Sequence, residues 1–160
     1  MAVFGIAHSA ICVPDVDAAV EWYRDVLGLR VLSPVFRMEG EAIERDMSAL
    51  VPSPVVVKAA IVGGLDGGDR VLEVIEYPSA AGTDARGAMA VYDHGLTHVG
   101  LVCDDIVATR EHLEAHGIEF LVDGYADIAN LRTTWFRDPF GVVFILLEKT
   151  DATKPYYRQY

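Results

Sequence analysis

The strongest pattern of apolar and polar positions along this chain occurs twice. Gly5-Ile6-Ala7-His8-Ser9-Ala10-Ile11-Cys12-Val13-Pro14-Asp15-Val16-Asp17-Ala18 lies beside Gly95-Leu96-Thr97-His98-Val99-Gly100-Leu101-Val102-Cys103-Asp104-Asp105-Ile106-Val107-Ala108 without a gap. Gly, His, Asp and Ala coincide, and apolar positions match apolar positions. Each copy reads as a short strand, an Asp-containing turn and a helix. Asp15 and Asp105 suit the N-cap, where a short carboxylate accepts otherwise unpaired backbone N–H groups at the positive end of the helix dipole. Helical spacing puts Ala18, Ala19, Trp22, Tyr23 and Val26 on one inner face, and Gly28 stops that helix. Ala108, Leu113 and His112 take the inner face of the second helix. Gly117 stops it, and Ile118–Val122 reads as a strand.

The copies also end alike. Val71-Leu72-Glu73-Val74-Ile75-Glu76 matches Val143-Phe144-Ile145-Leu146-Leu147-Glu148. The first copy is longer, with its surplus in 33–66. That stretch predicts a short helix over Glu41–Leu50 and a strand over Val55–Val62, with Gly63-Gly64 and Gly67-Gly68 marking a hairpin. Each copy is thus a strand and helix followed by about three strands, an α+β pattern. The expected limits are 4–78 for module one, 79–93 for a linker rich in Ala and Gly, 94–149 for module two and 150–160 for a polar tail with three tyrosines. All of 1–160 is expected to form one domain. A sheet with a helix on one face leaves the other face open. Two such sheets side by side are expected to form a shared trough.

Composition narrows the partners. Of 160 residues, 52% are hydrophobic and 23% charged, a globular mixture, and the net charge is -11. Such a surface repels phosphate backbones and anionic membranes, so nucleic acid and membrane are not expected partners. Cys12 and Cys103 are too few for a disulfide framework and read as reduced residues on the core side of their strands. The start lacks a secretory pattern, and no run of apolar residues is long enough to span a bilayer. The expected location is the cytoplasm.

The chemistry sits on the strands. His8 and His98 hold equivalent positions, and Glu73 interrupts an otherwise apolar run. A carboxylate there needs a cation or another partner. Two imidazoles and a carboxylate suit one divalent metal such as Fe, Zn, Mn, Co or Ni. The plainer alternatives are satisfied rim histidines and a Glu73 paired with Arg70 or Arg132. His94 reads as a rim residue, and His112 and His116 as solvated surface. Asp138-Pro139-Phe140-Gly141 reads as a structural turn. Nucleophile-elbow and phosphate-loop motifs are absent.

These residues resemble the vicinal oxygen chelate superfamily, the glyoxalase/bleomycin resistance/extradiol dioxygenase type. HSAICVPDVDAAVEWYRDVLGL, GLTHVGLVCDDI, VLEVIEYPSAAG and WFRDPFGVVFILLEK carry the likeness, which covers about 5 to 149. The resemblance implies paired βαβββ modules around a trough, a small-molecule substrate and, by the pairing of open sheets common in relatives, a homodimer. It implies metal ligands at His8, Glu73 and His98. The fourth ligand position falls on Ile145, a departure from the pattern. Glu148, the counterpart of Glu76, lies on the opposite face by alternation. Lyase or isomerase chemistry on a vicinal-oxygen or carbonyl substrate is therefore expected, with Glu73 as the catalytic proton carrier. The alternatives are an Fe(II) ring-cleaving dioxygenase and a metal-free drug-binding protein holding its ligand among Trp22, Phe36, Trp135 and the tail tyrosines. Tyr156, Tyr157 or Tyr160 folding over the site, or Glu41 or Glu44 supplying the fourth ligand, are further options.

Overall fold

Asp15 and Asp105 each begin a helix, as the repeat requires. Asp15 accepts from Ala18 N at 3.0 Å and Asp105 from Ala108 N at 2.9 Å. The computed structural model describes residues 6–64, 70–80, 82, 83 and 90–159. The chain divides into two compact units, Met1–Thr83 and Asp84–Tyr160.

The first unit runs β1 (His8–Cys12), α1 (Val16–Asp25), β2 (Arg30–Glu39), α2 (Glu41–Met47), β3 (Val56–Gly63) and β4 (Val71–Glu76). Its sheet has the order β1-β4-β3-β2, with β1 parallel to β4 and the other pairs antiparallel. The second unit runs β5 (Val99–Cys103), α3 (Ile106–Ala115), β6 (Ala126–Ile128), β7 (Leu131–Arg137) and β8 (Val143–Lys149). Its order, β5-β8-β7-β6, repeats the first, again with the helix-preceding strand parallel to the last. These are two tandem βαβββ modules of the α+β class.

The repeat holds at the level of the ladder. Ala10 faces Glu73 in the first unit, and Gly100 faces Ile145 in the second. One face of each sheet carries its helix. Ile11, Ala60, Val62, Leu72 and Val74 are buried there with Val16, Ala19, Val20 and Tyr23 of α1. Phe136, Phe144 and Leu146 are buried on the corresponding face with Ile106 and Leu113 of α3. Alternation places Glu73 and Ile145 on the opposite, open face.

A second repeated device ties strand to helix. Glu76 Oε2 accepts from Val16 N at 3.0 Å, and Glu148 Oε2 accepts from Ile106 N at 2.8 Å. Each carboxylate neutralises an unpaired donor in the first turn of its helix. Lys58 joins the first clamp, with Nζ 3.1 Å from Glu76 and 2.8 Å from Asp17. The two carboxylates raise the Lys58 pKa.

Several expectations give way. Ile118–Val122 forms no strand: Phe120 makes one isolated bridge with Phe136, and β6 follows later. The Arg110 guanidinium takes up Val122 O and Gly124 O at 3.2 and 2.8 Å, so these acceptors are spent on a side chain. On α1 the buried positions are Val16, Ala19, Val20 and Tyr23, while Ala18 is exposed and Trp22 half-buried. Burial of the first helical residue, Val16, sets that phase. On α3, Ala108 and His112 are exposed. Cys12 is exposed, because Ile11 and Val13 take the helix side of their strand. Its counterpart in the second unit is Val102, and Cys103 lies one position further on, half-buried. Both thiols are free, and burial pushes the Cys103 thiol up to about 11. The Gly67-Gly68 turn and parts of the linker, Ala81 and 84–89, lie outside the described residues, as does Tyr160. No helix among the described residues is long and apolar enough to cross a membrane.

Candidate functional site

In the first unit, β1 and β4 bring two of the expected ligands together. His8 is paired with Val71 and Glu73 with Ala10, so the two side chains meet diagonally across the parallel ladder. His8 Nε2 stands 3.2 Å from Glu73 Oε2. The Glu73 side chain is 21% exposed and that of His8 50%. Val71, Ile75 and Ile61 surround Glu73 on its face. A carboxylate held among such neighbours is costly without a partner, and the imidazole answers that cost. The spacing also fits a shared cation. Two donors at the usual metal–N and metal–O lengths on one tetrahedral ion stand about 3.3–3.5 Å apart. The alternative partners fare differently, since Arg132 holds Asp127 at 3.0 Å and Arg70 is exposed just before β4.

In the second unit, His98 immediately precedes β5 on the face that carries Ile145. Trp135 pairs with Ile145 across β7 and β8, and its ring meets His98 edge-on at 4.9 Å. Thr97 Oγ1 lies 2.9 Å from His98 Nδ1. His98 Nε2 has no hydrogen-bond partner among the described residues. The half-buried Ile145 holds the rung that Glu73 holds in the first unit, so this half of the repeat is apolar where the first is charged. Within neither unit do three or more His, Cys, Asp or Glu side chains gather as a metal cluster among the described residues.

The substitutes for a fourth ligand are committed elsewhere. Glu148 clamps α3 on the opposite face of the sheet. Glu44 accepts from Ser53 Oγ and from Val55 N at 2.8 Å, and these donors hold its carboxyl below the usual range. Glu41 pairs with Arg45 at 2.5 Å. The tail is fastened at the end of β8 remote from His98, where Asn130 Nδ2 donates to Gln159 O and Gln159 Nε2 donates to Asp151 O. Tyr156 and Tyr157 are exposed there. Trp22 belongs to the helix-covered side of the first sheet, packed edge-on against Tyr23 at 5.3 Å. His94 is exposed, as expected, and so are His112 and His116, whose rings lie 4.4 Å apart.

The surplus segment of the first module does something the sequence reading missed. Val51, Val55, Val57 and Ala59 form a buried cluster, with Phe36, Met38, Ile43, Met47, Ile75 and Tyr77 packed on it. It covers part of the same sheet face as Glu73. Stepping by two from Glu73 along its strand gives Ile75 and Tyr77, which is the signal that would have found it.

Comparison with known proteins adds a family and a fold. The family model described as Glyoxalase/Bleomycin resistance protein/Dioxygenase superfamily matches residues 5–146. The uncharacterized protein YaeR of Escherichia coli (strain K12) is 26% identical over 147 residues, covering 90% of this chain and 95% of its own. A glyoxalase family protein from Bacillus cereus superposes with a TM-score of 0.81 at 21% identity, covering 94% of this chain and 97% of its own. TnmS3, an antibiotic binding protein from Streptomyces sp. CB03234, superposes with a TM-score of 0.59 at 19% identity, covering 93% and 98%.

Proposed function

This chain belongs to the Glyoxalase/Bleomycin resistance protein/Dioxygenase superfamily, and on that premise we propose that it is a metal-dependent enzyme with a depleted, three-ligand site. His8, Glu73 and His98 are the proposed ligands of one divalent ion, of the Fe, Zn, Mn, Co or Ni type. The observation that carries the reading is the His8–Glu73 pair at 3.2 Å on an otherwise apolar strand face, with His98 at the equivalent point of the second copy. In this reading the two modules work as one domain.

When bound, the ion supplies Lewis acidity to paired oxygens of a small vicinal-oxygen or carbonyl substrate. The rest falls to the chain. Glu73 takes and returns the proton on the carbon beside the carbonyl, because Ile145 removes the second carboxylate that could share that work. Trp135, edge-on to His98 beside Ile145, steadies the exposed His98 ring. Chemistry of the lyase or isomerase kind follows from proton movement without a second carboxylate.

A second reading, metal-free binding of a small apolar molecule, draws on the Trp135–Ile145 face and on the absence of a three-donor cluster within either unit among the described residues. Elemental analysis of purified protein separates the two. The enzyme reading expects about one divalent metal per chain, with the metal lost in His8→Ala and in His98→Ala. Metal-free protein that gains neither metal nor activity with any of the five ions overturns it in favour of the binding module.

A further inference from the structure

The open face of the second sheet carries a cation that the ligand set does not use. Arg137 closes β7 and pairs with Val143, two residues after Trp135, which pairs with Ile145. Alternation puts Arg137, Trp135 and Ile145 on one face, the face on which the Trp135 ring meets His98. Arg137 is half-buried, and its guanidinium is anchored, since Nη1 donates to Gly141 O at 2.9 Å. That carbonyl belongs to a braced turn: Asp138 Oδ1 accepts from Phe140 N at 3.0 Å and from Val142 N at 2.7 Å. A guanidinium carries a fork of N–H donors, and the bond to Gly141 occupies one of them. No carboxylate stands within ion-pair distance of Arg137 among the described residues, although the chain holds 24 Asp and Glu against 13 Lys and Arg. Arg24, Arg37, Arg45, Arg110 and Arg132 each hold a carboxylate. A half-buried cation without a counter-charge is costly unless an anion reaches it from outside.

We propose that Arg137 is the anion-binding residue of this face, taking the carboxylate of a small ligand whose aromatic or apolar body lies along Trp135 and Ile145. The planar guanidinium matches a carboxylate with paired N–H bonds, which a lysine cannot reproduce. Its anchor on Gly141 O sets the side chain before the ligand arrives, so less freedom is lost on binding. A two-residue step along a strand is about 7 Å, a spacing that suits an aromatic acid with its charge on the guanidinium and its ring on the indole. A chain of net charge -11 repels anions at long range, so the choice of an acid falls on a local cation. The site stands on the second unit alone and needs no metal. Joined to the proposed role of His98, it makes the substrate an acid.

Benzoate is the probe, and benzamide, the same ring without the charge, is its control. Metal-free full-length protein labelled with 15N is titrated with each at constant ionic strength. The Arg137 Nε–H signal is identified by its loss in Arg137→Gln, and the Trp135 indole N–H signal by its loss in Trp135→Phe. Benzoate is expected to move both signals along one saturation curve. Benzamide is expected to bind roughly tenfold or more weakly, the worth of hydrogen bonds to a charged acceptor. In Arg137→Gln the benzoate affinity is expected to fall to that of benzamide, with Arg137→Lys in between because it keeps the charge and loses the fork.

The melting temperature of each variant is read alongside, because Arg137 also braces the turn. Should Arg137→Gln fail to fold, Arg137→Lys and the wild-type contrast of benzoate with benzamide still decide. Benzoate shifts that do not saturate, equal binding of the two probes by the wild type, or undiminished benzoate binding in folded Arg137→Gln each overturn the proposal. All of these are read without metal, so failure here is distinct from failure of the metal reading.

Discussion

Replacing Glu148 with alanine tests whether this carboxylate is a helix clamp or a displaced ligand. Its Oε2 receives the Ile106 N–H at 2.8 Å, and Ile106 is wholly buried. Removal leaves that donor without its acceptor and takes a negative charge from the first turn of α3. A hydrogen bond to a charged acceptor contributes about 1.5–3 kcal/mol, and the dipole interaction about 0.3–1 kcal/mol. Asp105 still caps Ala108 N, so the helix start is weakened rather than lost. The expected cost is about 2 kcal/mol. For a chain of this size that is a fall of roughly 4–8 °C in melting temperature. Thermal unfolding followed by circular dichroism reads it, with Glu148→Gln as the graded control that keeps an acceptor oxygen and loses only the charge. Metal affinity in Glu148→Ala is expected to match the wild type. A melting temperature within about 1 °C of wild type, combined with weakened metal binding, would refute the clamp and make Glu148 a metal ligand instead.

Other consequences follow from the same geometry. Glu44 has a folded-state pKa held below its unfolded value by Ser53 and Val55 N. Its stabilising effect is present above the unfolded pKa and is lost as pH falls through the folded one. Glu44→Gln should therefore lower stability at pH 7 and flatten the acid limb of a stability-against-pH curve; an unchanged acid limb contradicts this. Cys12 is exposed, its thiol raised by partial burial and the Glu76 charge, while the Cys103 thiol is half-buried and raised to about 11. A disulfide reagent at pH 8 should thus modify about one thiol per native chain quickly, and Cys12→Ser should abolish that phase; two equal fast phases would be the contrary result. Ile145→Glu restores a carboxylate on the rung equivalent to Glu73 and should tighten Co(II) binding by about tenfold or more, whereas no change would mean that position 145 does not serve the ion.

How much was legible in the sequence depends on whether the signal was a repeat or a phase. The gapless match of Gly5–Ala18 to Gly95–Ala108 predicts the same strand, cap and helix twice, and Asp15 and Asp105 cap as expected because an N-cap is a local device. Matching Val71–Glu76 to Val143–Glu148 correctly makes Ile145 the counterpart of Glu73, and the ladders reproduce it rung for rung. Helix faces were harder. Alanine carries little phase information, so Ala18 and Ala108 read as inward although Val16 and Ile106 set the buried side. The strand expected over Ile118–Val122 shrinks to the Phe120–Phe136 bridge, and just beyond it Arg110 takes the Val122 and Gly124 carbonyls. Cys12 reads as core-sided, yet one alternation step from the buried Ile11 turns it outward. Glu76 and Glu148 were seen as a matched pair, yet their use as clamps depends on partners 60 and 42 positions away and has no local signature. The buried cluster beside Tyr77 escapes the sequence pattern because β2, which supplies Phe36 and Met38, does not read as a strand.

In the proposed site, one ion draws ligands from both copies of the repeat. The most direct test is equilibrium titration of metal-free protein with Co(II), followed by its visible absorption, in the wild type, His8→Ala and His98→Ala. The account predicts one cobalt per wild-type chain, with each single histidine variant weakened by about a hundredfold or more and showing an altered spectrum. A His98→Ala protein that binds cobalt as tightly as the wild type, with the same spectrum, would contradict it.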